Sequence, residues 1–275
     1  MISCREYVKN KKKEIKDWIV ECTNKYGYKP SLCVIQVGDN PASNSYIKGK
    51  EKDCDEVGIR FKHIKYEENI KQSALMENIK AISLSGEFDG IIVQLPLPSH
   101  LDVDEITNCI PANMDVDGFR PDSAFYPCTP KGIIDWLDYN KYTLEGKEFV
   151  VIGRSKIVGK PLVNMLIDRG ATVTCCNSKT KYLWNHTQYA DVVVSAIGKP
   201  KFFESTYFDD AEIVIDVGVN RDENGKLCGD VDIDDVHNYN QAIYVTPVPG
   251  GVGLLTRVAL LENVVAAYEL NVMEE

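Results

Sequence analysis

Tyr46 and Lys50 stand four residues apart in "SNSYIKGKEK", close enough along a helix to share one face. A lysine and a phenol at that spacing could move and orient a proton. Ile47, Cys54 and Val57 fall on the same stripe. That pattern fits equally a lysine whose stem covers apolar surface while its ammonium reaches water. From this stretch alone both remain open. Two further polar groups stand out. Gln94 closes the apolar run "GIIVQLPLP", and an amide there needs hydrogen-bond partners. Asp115 and Asp117 flank Val116 ahead of Gly118 in "NMDVDGF".

A second group lies downstream. In "VVIGRSKIVGKPLVNMLIDRG" an apolar run ends at Gly153, a polar turn carries Arg154 and Ser155, and Gly159 opens a helix-patterned segment. Strand, turn and helix N-terminus in that order can present backbone N–H groups to a pyrophosphate. The glycine spacing is wider than GxGxxG. An NAD-preferring site places an acid about 20 residues on, where it binds the ribose 2′-hydroxyl. Here the next strand runs into "CCNSKTK", with Ser178, Lys179 and Lys181 and no carboxylate. Serine and lysine can bind a 2′-phosphate that an acid would repel, so NADP is expected as cofactor, with NAD the alternative.

The elements that must position these residues follow from the hydrophobic pattern. Short apolar runs at 32–38, 61–66 and 90–95 alternate with helical patterns near 41–57 and 72–84. A second series of runs lies at 148–153, 171–176, 191–197, 212–218 and 242–248. Such alternation predicts parallel α/β architecture. Asn40 and Pro41 suit the start of the helix bearing Tyr46 and Lys50, and Thr129 with Pro130 suits the start of another. At the N-terminus an amphipathic helix would turn Val8, Ile15, Trp18, Ile19 and Cys22 inward. The polar stretch at 138–147 divides the two series. The expected layout is a first domain over 1–140, completed by a C-terminal helix within 250–275, and a Rossmann-like domain over 141–249.

Of 275 residues, 44% are hydrophobic and the net charge is −10. The chain can bury a core, and its charge argues against nucleic acid or an anionic membrane surface as partner. No apolar run reaches the length of a membrane span. The nine cysteines show no CxxC spacing and the four histidines are scattered. Free thiols in a reducing, cytoplasmic compartment are expected, and no metal site.

Taken in order, "VGDNPASNSYIKGKEKDCDEVGI", "DGIIVQLPLP", "DVDGF", "PCTPKGI", "VVIGRSKIVGKP", "ATVTCCNSKT", "DVGVN" and "TPVPGGVG" resemble the bifunctional methylenetetrahydrofolate dehydrogenase/methenyltetrahydrofolate cyclohydrolase family across nearly the whole chain. The resemblance implies an α/β protein of two domains flanking a cleft, the second a Rossmann-like NADP-binding domain with a parallel sheet. It implies oxidation of 5,10-methylenetetrahydrofolate to the methenyl form with NADP, then hydrolysis to 10-formyltetrahydrofolate. Lys50 would be the general acid/base, with Tyr46 and Gln94 beside it. Asp117 would hold the pterin, and Pro249 and Gly250 would line the folate site with Tyr46. Gly153, Arg154, Ser155, Ser178 and Val219 match cofactor-contacting positions. A homodimer is implied as well. The segment between "DVDGF" and "PCTP" is shorter than usual in the family, which leaves a single-activity enzyme as an alternative. A folate- or nucleotide-binding protein without turnover is the other.

Overall fold

The computed structural model describes residues 2–274. The chain divides into two compact units. One comprises 9–128 with the chain from 257 onward, and the other comprises the chain up to Val8 with 129–256. This division puts 129–140, which the sequence boundary assigned to the first domain, in the second unit.

The unit containing Lys9–Cys128 is built on β1 (Ser31–Val37), β2 (Arg60–Tyr66) and β3 (Gly90–Val93), a parallel sheet ordered β2-β1-β3. Helix α1 (Cys4–Tyr26) leads in, buries Val8, Ile15 and Ile19, and half-buries Trp18 and Cys22. Helix α2 (Pro41–Val57) connects β1 to β2, and α3 (Gln72–Leu84) connects β2 to β3. On one face of the sheet Cys33, Ile35 and Val37 of β1 join Ile91 and Val93 of β3, with Leu75 and Ile79 of α3 packed over them. The alternation along β1 is the period of two that a strand imposes. Each such aliphatic side chain stabilises the fold by about 1.5–3 kcal/mol. The short helix α4 (Val103–Thr107) is capped by Asp102, whose side chain accepts from Glu105 N at 2.9 Å.

The second unit begins with α5 (Cys128–Tyr139). That helix starts one residue before the expected cap, so Thr129 lies inside its first turn. The Thr129 hydroxyl instead meets the Thr256 hydroxyl at 2.9 Å. Then follow β4 (Glu148–Ile152), α6 (Gly159–Asp168), β5 (Thr172–Cys176), α7 (Trp184–Thr187), β6 (Val192–Ser195) and β7 (Ile213–Asp216). A hairpin of β8 (Asn220–Arg221) and β9 (Leu227–Cys228), α8 (Ile233–Tyr239), β10 (Tyr244–Val245) and α9 (Val252–Glu274) complete the chain. The five-stranded parallel sheet is ordered β10-β7-β6-β4-β5. From β4 the chain winds outward to β5, then returns to the opposite side of β4 as β6. The strand order therefore reverses between β4 and β6, and the crevice outside the carboxyl ends at such a reversal is where open α/β sheets bind ligands.

All nine cysteines are free thiols. Among the described residues no helix is long and apolar enough to cross a membrane.

Candidate functional site

Helix α2 brings Lys50 into place through a well-made start. The Asn40 side chain accepts from Ala42 N at 2.9 Å and Ser43 N at 3.2 Å, and Pro41 fills the first turn, where a missing N–H costs nothing. Further along, buried Asp53 meets Lys12 Nζ at 2.6 Å and Arg257 Nε at 2.7 Å. These contacts fix the rotation of the helix about its axis. Ile47, Cys54 and Val57 are buried, whereas Lys50 is half-buried.

Lys50 Nζ donates to Gln94 Oε1 at 3.1 Å. Gln94 follows β3, its backbone N donates to Ile35 O at 2.8 Å, and its own Nε2 donates to Leu95 O at 2.8 Å. With the amide group committed to a neighbouring carbonyl, Oε1 is left facing the lysine. The two residues singled out from separate stretches are thus brought together. Tyr46, one helical turn before Lys50, keeps 43% of its surface exposed, available to a ligand.

Asp117 lies in a turn whose shape comes from its neighbours. Buried Asp115 accepts from Arg120 N at 2.9 Å, and its backbone oxygen accepts from Ser123 Oγ at 3.1 Å. Burial pushes the Asp115 carboxyl above its ordinary range, with the Asp117 charge adding to the effect and the Arg120 N–H opposing it. Asn263 Nδ2 donates to Val116 O at 2.8 Å and to Tyr126 O at 3.1 Å. The short segment 120–126 is therefore pinned at both ends, leaving half-buried Asp117 to present its carboxylate. Asn263 had not been singled out. Its sequence signal is an amide inside the apolar run "LLENVV".

The cofactor candidates gather in the other unit. Gly153 follows β4 with φ 121°, a conformation side chains rarely adopt, and a Cβ there would collide with Ala196 O. The turn after β4 and the turn after β6 therefore touch across the strand-order reversal. Ser155 Oγ accepts from Val158 N at 3.2 Å and Gly159 N at 3.4 Å, ordering the entry to α6. Arg154 and Ser155 are exposed beside it. After β5, Asn177 Oδ1 accepts from Lys179 N at 3.0 Å and Thr180 Oγ1 accepts from Asn177 N at 2.9 Å, which turns Ser178 outward. Val219, beyond β7, is 51% exposed. Gly153, Arg154, Ser155, Ser178 and Val219 all follow carboxyl ends of the one sheet. A glycine-tight turn, a helix entry and an acid-free turn suit a dinucleotide carrying a 2′-phosphate. Pro249 and Gly250 belong to this unit, whereas Tyr46, Lys50, Gln94 and Asp117 belong to the other.

Comparison with known proteins places both halves. Residues 2–117 match the family model for the tetrahydrofolate dehydrogenase/cyclohydrolase catalytic domain, and residues 127–272 match its NAD(P)-binding domain. The bifunctional protein FolD of Bacillus anthracis is 43% identical over 274 residues, covering 96% of this chain and 95% of its own. The crystal structure of the bifunctional FolD enzyme from Campylobacter jejuni superimposes with a TM-score of 0.93 at 41% identity, with 98% of each chain covered. The Trypanosoma brucei dehydrogenase-cyclohydrolase, solved with NADP and an inhibitor, gives 0.92 at 30% identity, covering 99% of this chain and 98% of its own. A paired lysine and amide in one unit, a dinucleotide-type crevice in the other and a matching domain model for each have one common explanation: the chain belongs to the tetrahydrofolate dehydrogenase/cyclohydrolase family.

Proposed function

We propose that this protein oxidises 5,10-methylenetetrahydrofolate to the 5,10-methenyl form with NADP and then hydrolyses that product to 10-formyltetrahydrofolate. The observation that carries the proposal is the Lys50 Nζ to Gln94 Oε1 hydrogen bond of 3.1 Å, within the segment matched by the family's catalytic-domain model. NADP, when bound, accepts a hydride from the methylene carbon. The dehydrogenation asks little acid–base help of the protein, because the flanking nitrogen lone pairs stabilise the methenyl cation. Its demand is alignment. Asp117 anchors the pterin by accepting from its amino group and ring N–H. Tyr46, Pro249 and Gly250 complete the folate contacts.

Hydrolysis differs, since a water must lose a proton as it attacks and a ring nitrogen must gain one as its C–N bond breaks. Lys50 is the group that relays these protons, with Gln94 fixing its ammonium and Tyr46 orienting lysine and water. Gly153, Arg154, Ser155, Ser178 and Val219 hold the cofactor. The absence of an acid at 177–181 supports NADP over NAD. The pinned 120–126 segment supports retention of both activities. A homodimer acting in the cytoplasm fits the family and the nine free thiols.

A spectroscopic assay tests this. Protein, methylenetetrahydrofolate and NADP are mixed, and reduced cofactor and methenyl absorbance are followed together. NADPH formation with little methenyl build-up is the expected result. Persistent methenyl signal would remove the hydrolase, and no reduction of either NADP or NAD would remove the dehydrogenase.

A further inference from the structure

Two carboxylates that the proposed chemistry does not use lie deep in the second unit. Asp216 is the last residue of β7, and Asp230 follows β9. They are 2% and 0% exposed. Five donors converge on Asp230. Its Oδ2 accepts from Ser195 Oγ at 2.9 Å, Ile197 N at 2.8 Å and Gly198 N at 3.3 Å. Its Oδ1 accepts from Lys199 N at 2.8 Å and Asn220 Nδ2 at 2.8 Å. Asp216 holds Asp230 in turn: Oδ1 accepts from Asp230 N at 3.0 Å and Gly218 N at 2.9 Å, and Oδ2 from Val231 N at 2.9 Å. Asp216 N donates to Thr246 Oγ1 at 2.8 Å, directly before Pro247. The packing leaves no slack, since a Cβ on Gly229 would strike the Asp216 carboxylate.

The placement of these bonds is informative. Residues 196–199 form the turn after β6, one bank of the crevice at the strand-order reversal, and Ala196 O touches Gly153 on the other bank. Asn220, the first residue of β8, directly follows Val219 and closes the turn after β7. Three successive N–H groups of one turn and a side-chain amide of the next thus end on a single carboxylate. Turns of this kind are otherwise free to move at the sheet edge. Resting on the cofactor site proposed above, we propose that Asp230 is a positioning residue for dinucleotide binding, fixing the turns after β6 and β7 as one rigid wall of that site. Asp216 is its support.

The two proposed activities supply the test, because hydrolysis of methenyltetrahydrofolate needs no nucleotide. In the full-length protein, Asp230→Asn sets an NH2 group against backbone N–H donors. It should raise the KM and Kd for NADP tenfold or more while leaving cyclohydrolase turnover within twofold. Asn220→Ala is a gentler second variant that removes one donor and leaves the carboxylate. It should raise the Kd for NADP about threefold, while the protein still folds and unfolds cooperatively. Should Asp230→Asn not fold, Asn220→Ala decides. Wild-type NADP affinity in either folded variant, or equal loss of both activities in a folded Asp230→Asn, would overturn the positioning role. Wild-type protein that binds neither NADP nor NAD would instead remove the cofactor site itself, and this proposal with it.

Discussion

At the scale of single residues, the partner of Lys50 matters as much as the lysine. A neutral amide at 3.1 Å orients the ammonium without supplying the opposite charge that a carboxylate would. Lys50→Met should lower cyclohydrolase turnover by roughly 10²–10⁴-fold, the usual worth of general acid–base catalysis. Dehydrogenase activity should persist, so methenyl product would accumulate in a coupled assay. Asp216 offers a different check. Burial, with the Asp230 charge adding to it and backbone N–H groups opposing it, raises its carboxyl from 3.8 to about 6. The folded state therefore holds the proton more tightly than the unfolded chain does. The resulting stabilisation is complete below pH 3.8 and lost as pH rises through about 6. Asp191 and Glu212, lowered by Lys147, run the opposite way, losing their contribution as pH falls, but they are common to any pair of variants. In urea unfolding, Asp216→Asn should thus gain on the wild type between about pH 4 and 6, by up to about 1.4 kcal/mol per pH unit. Parallel curves would contradict that. Gln94 was legible because an amide ending an apolar strand is unusual. Asp216 ends one in the same way, in "EIVIDVG". What hid it was that its partners, Asp230, Val231 and Thr246, are distant in sequence and contribute mainly backbone groups.

At the scale of elements, the buried strands β1, β3, β4, β6 and β7 were readable because buried parallel strands are nearly unbroken apolar runs, whereas the edge strands β2 and β5 are partly exposed and mix polar with apolar residues. The start of α2 was readable from Asn40 and Pro41. Removing that cap by Asn40→Ala should cost about 1 kcal/mol of stability in chemical denaturation. Cyclohydrolase should suffer more than dehydrogenase, since the same helix orients Lys50. The start of α5 was misplaced by two residues, because Thr129 has the chemistry of a cap but spends its hydroxyl on Thr256. For the β8–β9 hairpin the sequence carries only a turn signal, the Asn-Gly pair of "DENGK". Its strands are two residues each, too short for any periodicity, and Asp222 closes the loop by accepting from Asn224 N and Lys226 N at 2.9 Å. The pinned 120–126 segment was beyond reach for a related reason: its anchors, Asp115 and Asn263, are 148 positions apart in the chain.

At the scale of the whole molecule, cofactor choice becomes measurable without turnover. A ligand at a hundredfold excess over its Kd stabilises the state that binds it by about 2.7 kcal/mol. On the proposed cofactor site, in which Arg154, Ser178 and Lys179 meet the 2′-phosphate with no acid opposing it, NADP should raise the unfolding midpoint more than NAD at equal concentration. Equal shifts would leave the 2′-phosphate unread. The division of the chain has a temporal consequence too. One unit needs residues from 257 onward, although its main body ends at Cys128. Val258, Leu261, Val264 and Tyr268 of that last helix are buried. During synthesis at about 5–20 residues per second, the nascent unit must therefore wait roughly 6–30 s for its final helix to be made. For that interval its apolar face has no permanent cover. A stalled or prematurely terminated ribosome would release a chain with that face exposed, a natural client for chaperones and proteases.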